Sequence, residues 1–164
     1  MSVNTVTIRP WAAADEPTIH MLLMELQRYE QTLHPTRREW SERDALDYWN
    51  SIKPRLANDE GVCLMAEVDG AVVAFSLGWV EHDVYEMKVH PHEARYAFLS
   101  EGFVLPEHRR GKVFSQLVSA MEQHFFGIGI RRIRRGSFAN NSQLLAAANA
   151  QGYQLYEITL EKVL

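Results

Sequence analysis

Residues 3–9 alternate, with Val3, Thr5 and Thr7 on one side and Val6 and Ile8 on the other, which predicts a strand closed by Pro10. The apolar period then lengthens to that of a helix. Ile19, Leu22, Leu23 and Leu26 fall on one face, Asp15 is placed to cap the start, and Pro17 suits the first turn. Ser41 and Asp44 form a capping-box pattern ahead of a second stripe, Ala45, Tyr48, Trp49, Ile52 and Leu56, with Pro54 in its last turn. Residues 62–68 and 71–80 are β-rich runs joined by Asp69-Gly70, a strong hairpin signal, so they should pair antiparallel. A further strand is expected over residues 95–104, closed by Pro106. Phe114, Leu117, Val118, Met121 and Phe125 then mark a helix, with Gly127 and Gly129 past its end. A strand over 130–138, an Ala-rich helix over 140–150 ended by Gly152, and a last strand over 153–163 complete the chain. In that last strand Tyr156, Ile158 and Leu160 alternate with Glu157, Thr159 and Glu161. The order β-α-α-β-β-β-α-β-α-β describes an α/β (α+β) protein, a mixed sheet with helices on its faces.

Composition narrows the picture. A chain of 164 residues, 46% hydrophobic and 23% charged, is expected to form one domain over residues 1–164 with a sizeable core. Neither an apolar run long enough to cross a bilayer nor a cationic leader is evident, so a cytoplasmic protein is expected. The single cysteine, Cys63, lies in an apolar run and reads as a buried, inert thiol. The net charge of −4 conceals an uneven distribution: the stretch from Arg109 to Arg135 holds seven cations and one acid, for +6, against −10 elsewhere. Such a segment either offers itself to an anion or is simply a solvated face.

The most informative stretch is Phe103 to Phe114, FVLPEHRRGKVF, which sets a basic, glycine-containing turn between a strand and a helix start. The first N–H groups of a helix lack internal partners and face the positive end of its dipole, so a phosphate can accept several of them at once. Arg109, Arg110 and Lys112 would add charge, although an ordinary basic helix start has the same outline. No Walker phosphate loop is present. His90-Pro91-His92-Glu93 invites a metal reading but lacks distant ligands at a known spacing, and a polar loop accounts for it.

Val104, Pro106, Arg109 and Leu117 match the V-x-P-x-x-R…L turn of the GNAT superfamily of N-acetyltransferases, which this chain resembles. Asn141 with Gly152-Tyr153, the Ala66 to Ala74 hairpin, and Ile8-Arg9-Pro10 through Asp15 are similar to further segments of that family, so the resemblance spans the chain. It implies a mixed, mostly antiparallel sheet of about six to seven strands with about four helices, and splayed strands four and five. It further implies acetyl-CoA as cosubstrate, its pantetheine bonded to strand-four backbone at Phe103 and Val104. The pyrophosphate would rest on amides from Arg109, Arg110, Gly111, Lys112, Val113 and Phe114, and Asn141 would touch the cofactor arm.

The chain departs from the family where Arg110, Lys112 and Phe114 replace glycines, where Leu144 replaces a small alanine, and where Ala148 replaces the general-acid tyrosine. The implied activity is transfer of an acetyl group to a primary amine of a small molecule or protein. A noncatalytic acyl-CoA-binding or regulatory domain of the same fold is the alternative. An ammonium acceptor must lose a proton before it attacks, and Glu101, on the strand-four edge, is the first candidate base, with His108 second. In the family the acceptor is set by a region that here holds Glu25, Arg28, Tyr29, His34, Trp79, His82, Tyr85 and Glu86, and the acidic remainder favours a cationic amine. Neither a nucleic-acid nor a membrane partner is expected, since Arg131, Arg132, Arg134 and Arg135 would scatter over both faces of a strand; a homodimer is admitted.

Overall fold

The computed structural model describes residues 5–84 and 86–164. Its main elements, in chain order, are β1 (Val6–Pro10), α1 (Glu16–Gln31), α2 (Glu42–Asn58), β2 (Val62–Val68), β3 (Ala71–His82), β4 (Arg95–Val104), α3 (Val113–Gly127), β5 (Ile133–Arg135) and α4 (Ser142–Ala150). The five strands lie in the order β1-β2-β3-β4-β5. The first four pair antiparallel and β5 joins β4 in parallel. Asp69 and Gly70 carry the positive φ values, 52° and 82°, that the tight β2–β3 turn requires.

Each face of the sheet buries a separate core. On one face Leu117, Met121 and Phe125 of α3 pack against Ala66, Val73 and Leu99. On the other, Ile19 and Leu22 of α1 and Trp49 and Ile52 of α2 cover Met65, Phe75, Leu77 and Phe103. The helix stripes read from the sequence are therefore the buried faces. Cys63 is buried among them, and desolvation pushes its thiol up to about 12, so the inert reading holds. Ser41 and Asp44 form the expected capping box on α2, and the helix continues past Pro54.

Several boundaries differ from expectation, each for a local reason. Asp15 does not cap α1; its carboxylate takes two bonds from Arg9, at 2.7 and 2.8 Å, and one from the Ala12 N–H. β1 includes Pro10, which an edge strand tolerates because the missing donor is not needed there; Val3 and Asn4 of the expected strand lie outside the described residues. The strand expected over 130–138 is only three residues long. Ile130 is consumed by the end of α3, where its N–H bonds the Phe125 carbonyl at 3.0 Å, and residues 136–138 turn away from β4.

The expected last strand over 153–163 is not formed, so among the described residues the sheet has five strands rather than six or seven. β5 offers an edge of only three residues for it to follow. Tyr156 instead stacks on the Arg134 guanidinium at 4.3 Å, and Leu155, Ile158 and Leu160 stay exposed.

The feature that shapes the site is an irregularity in β4. Gly78 pairs with Leu99 but Leu77 pairs with Glu101, so Ser100 is an extra residue. Before it, Ala97 and Leu99 face α3; after it, Val104 faces α3 and Phe103 faces α1 and α2. The phase of the strand reverses at Ser100, which places Glu101 on the α1–α2 face. Gly78 is what lets β4 approach there: a Cβ on it would stand 2.5 Å from the Phe98 carbonyl oxygen and 3.1 Å from Leu99 Cα. Gly78→Ala is therefore expected to destabilise the fold by about 1–3 kcal/mol through overpacking, read as a lower denaturation midpoint. Unchanged stability would mean that the bulge tolerates the methyl group.

Candidate active site

β4 and β5 pair only over Ala97–Leu99 and Ile133–Arg135, after which they separate while β4 continues to Val104. The expected splay of strands four and five is thus present, and the opening is floored by two adjoining cavities. The first, of about 180 Å³, lies between β4, the start of α3 and α4; Phe103, Val104, Phe114 and Asn141 line it. The second, of about 350 Å³, lies between β4 and the first two helices, with Glu30, Arg37, Trp40, Tyr48 and Phe138 in its wall. Glu101 and Ser100 line both.

Glu101 sits in the partition because the bulge turns it there. Tyr48 donates its hydroxyl proton to Oε1 of Glu101, and Ser100 Oγ lies 3.3 Å from the same oxygen. Burial pushes the Glu101 carboxyl up to about 7, against the pull of the Tyr48 bond, and the neighbouring Glu30 adds to the rise. Glu30 is itself raised by burial, while Arg37, 3.1 Å away, pulls it back. Burial together with the Glu101 charge drives the Tyr48 hydroxyl far above its ordinary value, so it remains a donor.

At the other end of the opening, the chain leaves β4 through a short 3-10 turn, Pro106–His108, and enters α3. No side chain caps α3, and among the described residues no backbone acceptor takes the N–H groups of residues 110–115. Those donors lie beside exposed Arg110, Gly111 and Lys112 and the buried Val113, at the helix start where the sequence reading expects an anion. Arg109 does something different. Its Nε donates to the Val104 carbonyl at 2.9 Å, and its guanidinium stacks at 4.8 Å on both Tyr29 and Phe103. It fastens the turn to β4 and α1, while Arg110 and Lys112 beside it remain exposed.

Asn141 caps α4 by accepting the Leu144 N–H at 3.2 Å, and the same oxygen accepts the Tyr29 hydroxyl at 3.0 Å. That fixes the amide at the cavity wall. Phe114 and Leu144, which stand where smaller residues were expected, both intrude on the first cavity. His108 lines neither cavity, so Glu101 and His108 are not brought together. Trp79 is buried under the Arg55 guanidinium at 4.5 Å and belongs to the core rather than to a pocket; Tyr85 lies outside the described residues.

The sequence reading missed Tyr48, Glu30 and Arg135. Tyr48 was hidden inside an apolar stripe, and Glu30 sits at the end of α1 with nothing in its spacing to mark it. Among the described residues no cluster of His, Cys, Asp or Glu could hold a metal ion, and no helix is long and apolar enough to cross a membrane.

Comparison with known proteins agrees with this arrangement. An aminoglycoside N-acetyltransferase, AAC(6')-Iy, in complex with the bisubstrate analogue CoA-S-monomethyl-acetylneamine, superposes with a TM-score of 0.69 at 19% identity, covering 97% of each chain. AAC(6')-IG from Acinetobacter haemolyticus gives 0.70 at 19% identity, over 96% of this chain and 97% of that one. A tetramutant of the BH1408 protein from Bacillus halodurans gives 0.78 at 12% identity, over 96% and 99%. At such identities these likenesses speak for the fold alone. No curated protein sequence matches the chain. The sequence profile of the Acetyltransferase (GNAT) family, however, matches residues 20–153, more than half of the chain, and the chain belongs to that family.

Proposed function

We propose that the protein transfers an acyl group, acetyl in the simplest case, from acyl-CoA to the primary amine of a cationic small molecule or protein. The observation that carries this reading is Glu101, a carboxyl raised to about 7 in the wall shared by the two cavities. The cradle at residues 110–115 suits the CoA phosphates, and the first cavity, between β4 and α4, suits the pantetheine arm, with Phe103, Val104 and Asn141 along it. The second cavity suits the acceptor. Glu30 and Glu101 supply negative charge, and Trp40, Tyr48 and Phe138 supply aromatic walls that favour a cation.

The chemistry follows from those placements. An alkyl ammonium must give up a proton, and Glu101 accepts it; a base near neutrality is the one best matched to that task. The amine nitrogen then attacks the thioester carbonyl carbon, a C–N bond forms, the C–S bond breaks to release the CoA thiolate, and the nitrogen's second proton passes to that thiolate or to solvent. A thiolate of ordinary pKa, about 8.5, leaves without a dedicated acid. That matters here because Ala148 has no proton to give and is buried on α4. Tyr48 occupies one oxygen of Glu101 and leaves the other free to meet the ammonium.

Thiol release from acetyl-CoA across a panel of polycationic amines tests the reading. CoA binding with no turnover on any amine would support the noncatalytic alternative, which the loss of the family's tyrosine at Ala148 favours. On an active acceptor, Glu101→Gln should lower kcat/KM by about 10²–10⁴. The wild-type rate should climb as pH rises through about 7, where Glu101 becomes a carboxylate, and that limb should vanish in the variant. An unchanged profile would remove Glu101 as the base. Tyr48→Phe deletes the bond that holds the Glu101 pKa down, so the same limb should move to higher pH while the maximal rate survives in part. A limb that stays in place would show that Tyr48 only packs.

A further inference from the structure

Arg135 is the last residue of β5 and stands opposite Leu99, at the rung where β4 and β5 begin to part. Its neighbour Arg134 points to the opposite face, where its charge is paired with Asp83 at 3.0 Å and stacked on Tyr96 at 3.9 Å, although its Nε also has no hydrogen-bond partner. Arg135 instead lines the first cavity with Phe114, Leu117 and Val118. Its Nε and Nη1 are sealed from solvent and have no hydrogen-bond partner. The rings of Phe114 and Tyr153 approach at 5.4 and 6.0 Å, and Glu122 on α3 attracts the charge without bonding it.

An arginine does not escape burial by losing its proton, so a guanidinium in this position remains charged and short of acceptors. Arg135 is half-buried, and leaving its sealed Nε and Nη1 without acceptors is costly, so an anion arriving in the cavity would offset that cost. The inference rests on the acyl-CoA reading above. There the phosphates belong at the start of α3, near the end of β4, so the part of the donor that reaches the closed end of the opening is its acyl group. An acetyl methyl would leave Arg135 as it is, whereas a terminal carboxylate would supply charge-assisted acceptors.

We propose that Arg135 is an acyl-group receptor and that this protein takes acyl-CoA donors whose acyl chain ends in a carboxylate, of the malonyl or succinyl kind. The transfer step is unchanged: the ammonium proton passes to Glu101, the amide C–N bond forms, the thioester C–S bond breaks, and the nitrogen's second proton goes to the departing thiolate or to solvent. The distal carboxylate takes no part in bond making and stays on the guanidinium.

Calorimetry of the wild type and Arg135→Met with free CoA, acetyl-CoA and succinyl-CoA tests this. The wild type should bind succinyl-CoA about tenfold or more tighter than acetyl-CoA, the range expected for a charge-assisted bond. Arg135→Met should lose that preference while keeping its affinity for free CoA and its thermal transition. Wild-type protein that binds acetyl-CoA as tightly as succinyl-CoA overturns the proposal, and this comparison needs no variant to fold. A variant that weakens CoA and both acyl-CoAs alike overturns it too, placing Arg135 on the CoA body. Failure of free CoA to bind would strike the acyl-transfer reading itself, an outcome distinct from CoA binding without a succinyl preference.

Discussion

The extra residue at Ser100 is the constraint on which the site depends, because a strand that alternates without interruption would carry Glu101 to the same face as Ala97 and Leu99, under α3. With the phase reversed, Glu101 shares a face with Phe103 and meets Tyr48 from α2. The same reversal accompanies the parting of β4 from β5, since the two stop pairing at Leu99, immediately before the bulge. One irregular residue thus coincides with both the opening between the strands and the carboxylate set into its wall. Gly78, which lets the bulged strand approach, is as much a part of the site as Glu101, although it touches neither cavity.

The basic stretch from Arg109 to Arg135 looks like one patch in the sequence and is not one in space. Arg109 is spent on the Val104 carbonyl and on two aromatic rings. Arg131 bonds the Phe126 carbonyl near the end of α3, where a cation complements the helix dipole. Arg132 bonds the Glu93 carbonyl and Arg134 pairs with Asp83. Of the stretch, Arg110 and Lys112 remain exposed at the start of α3, and Arg109 and Arg135 line the first cavity. The division follows from strand alternation, which sends Arg134 and Arg135 to opposite faces.

The helices, the β2–β3 hairpin and the turn into α3 were legible because each rests on local chemistry: a stripe of period 3.6, an Asp-Gly dipeptide, a capping box, or donors left free at a helix start. Glu101, singled out from its place on the strand-four edge, and Asn141, singled out from the family segment it matched, both line the first cavity. What escaped depends on pairings distant in sequence. Nothing near residue 153 announces that β5 is too short to carry another strand, and alternating Tyr156, Ile158 and Leu160 look the same paired or exposed. Asp15 carries the residue type of a cap but is claimed by Arg9. Tyr48 packs like its stripe neighbours until β4, more than fifty positions away, places Glu101 beside its hydroxyl.

The central claim is that strand geometry, by turning one carboxyl into a partly dry wall, tunes it for proton transfer. The most direct measurement is a carbon-13 NMR titration of the glutamate carboxyl groups, with Glu101 assigned by its loss in the Gln variant. The account requires a Glu101 midpoint of about 7, well apart from the exposed glutamates. A midpoint within the ordinary carboxylate range, about 4.3, would contradict it.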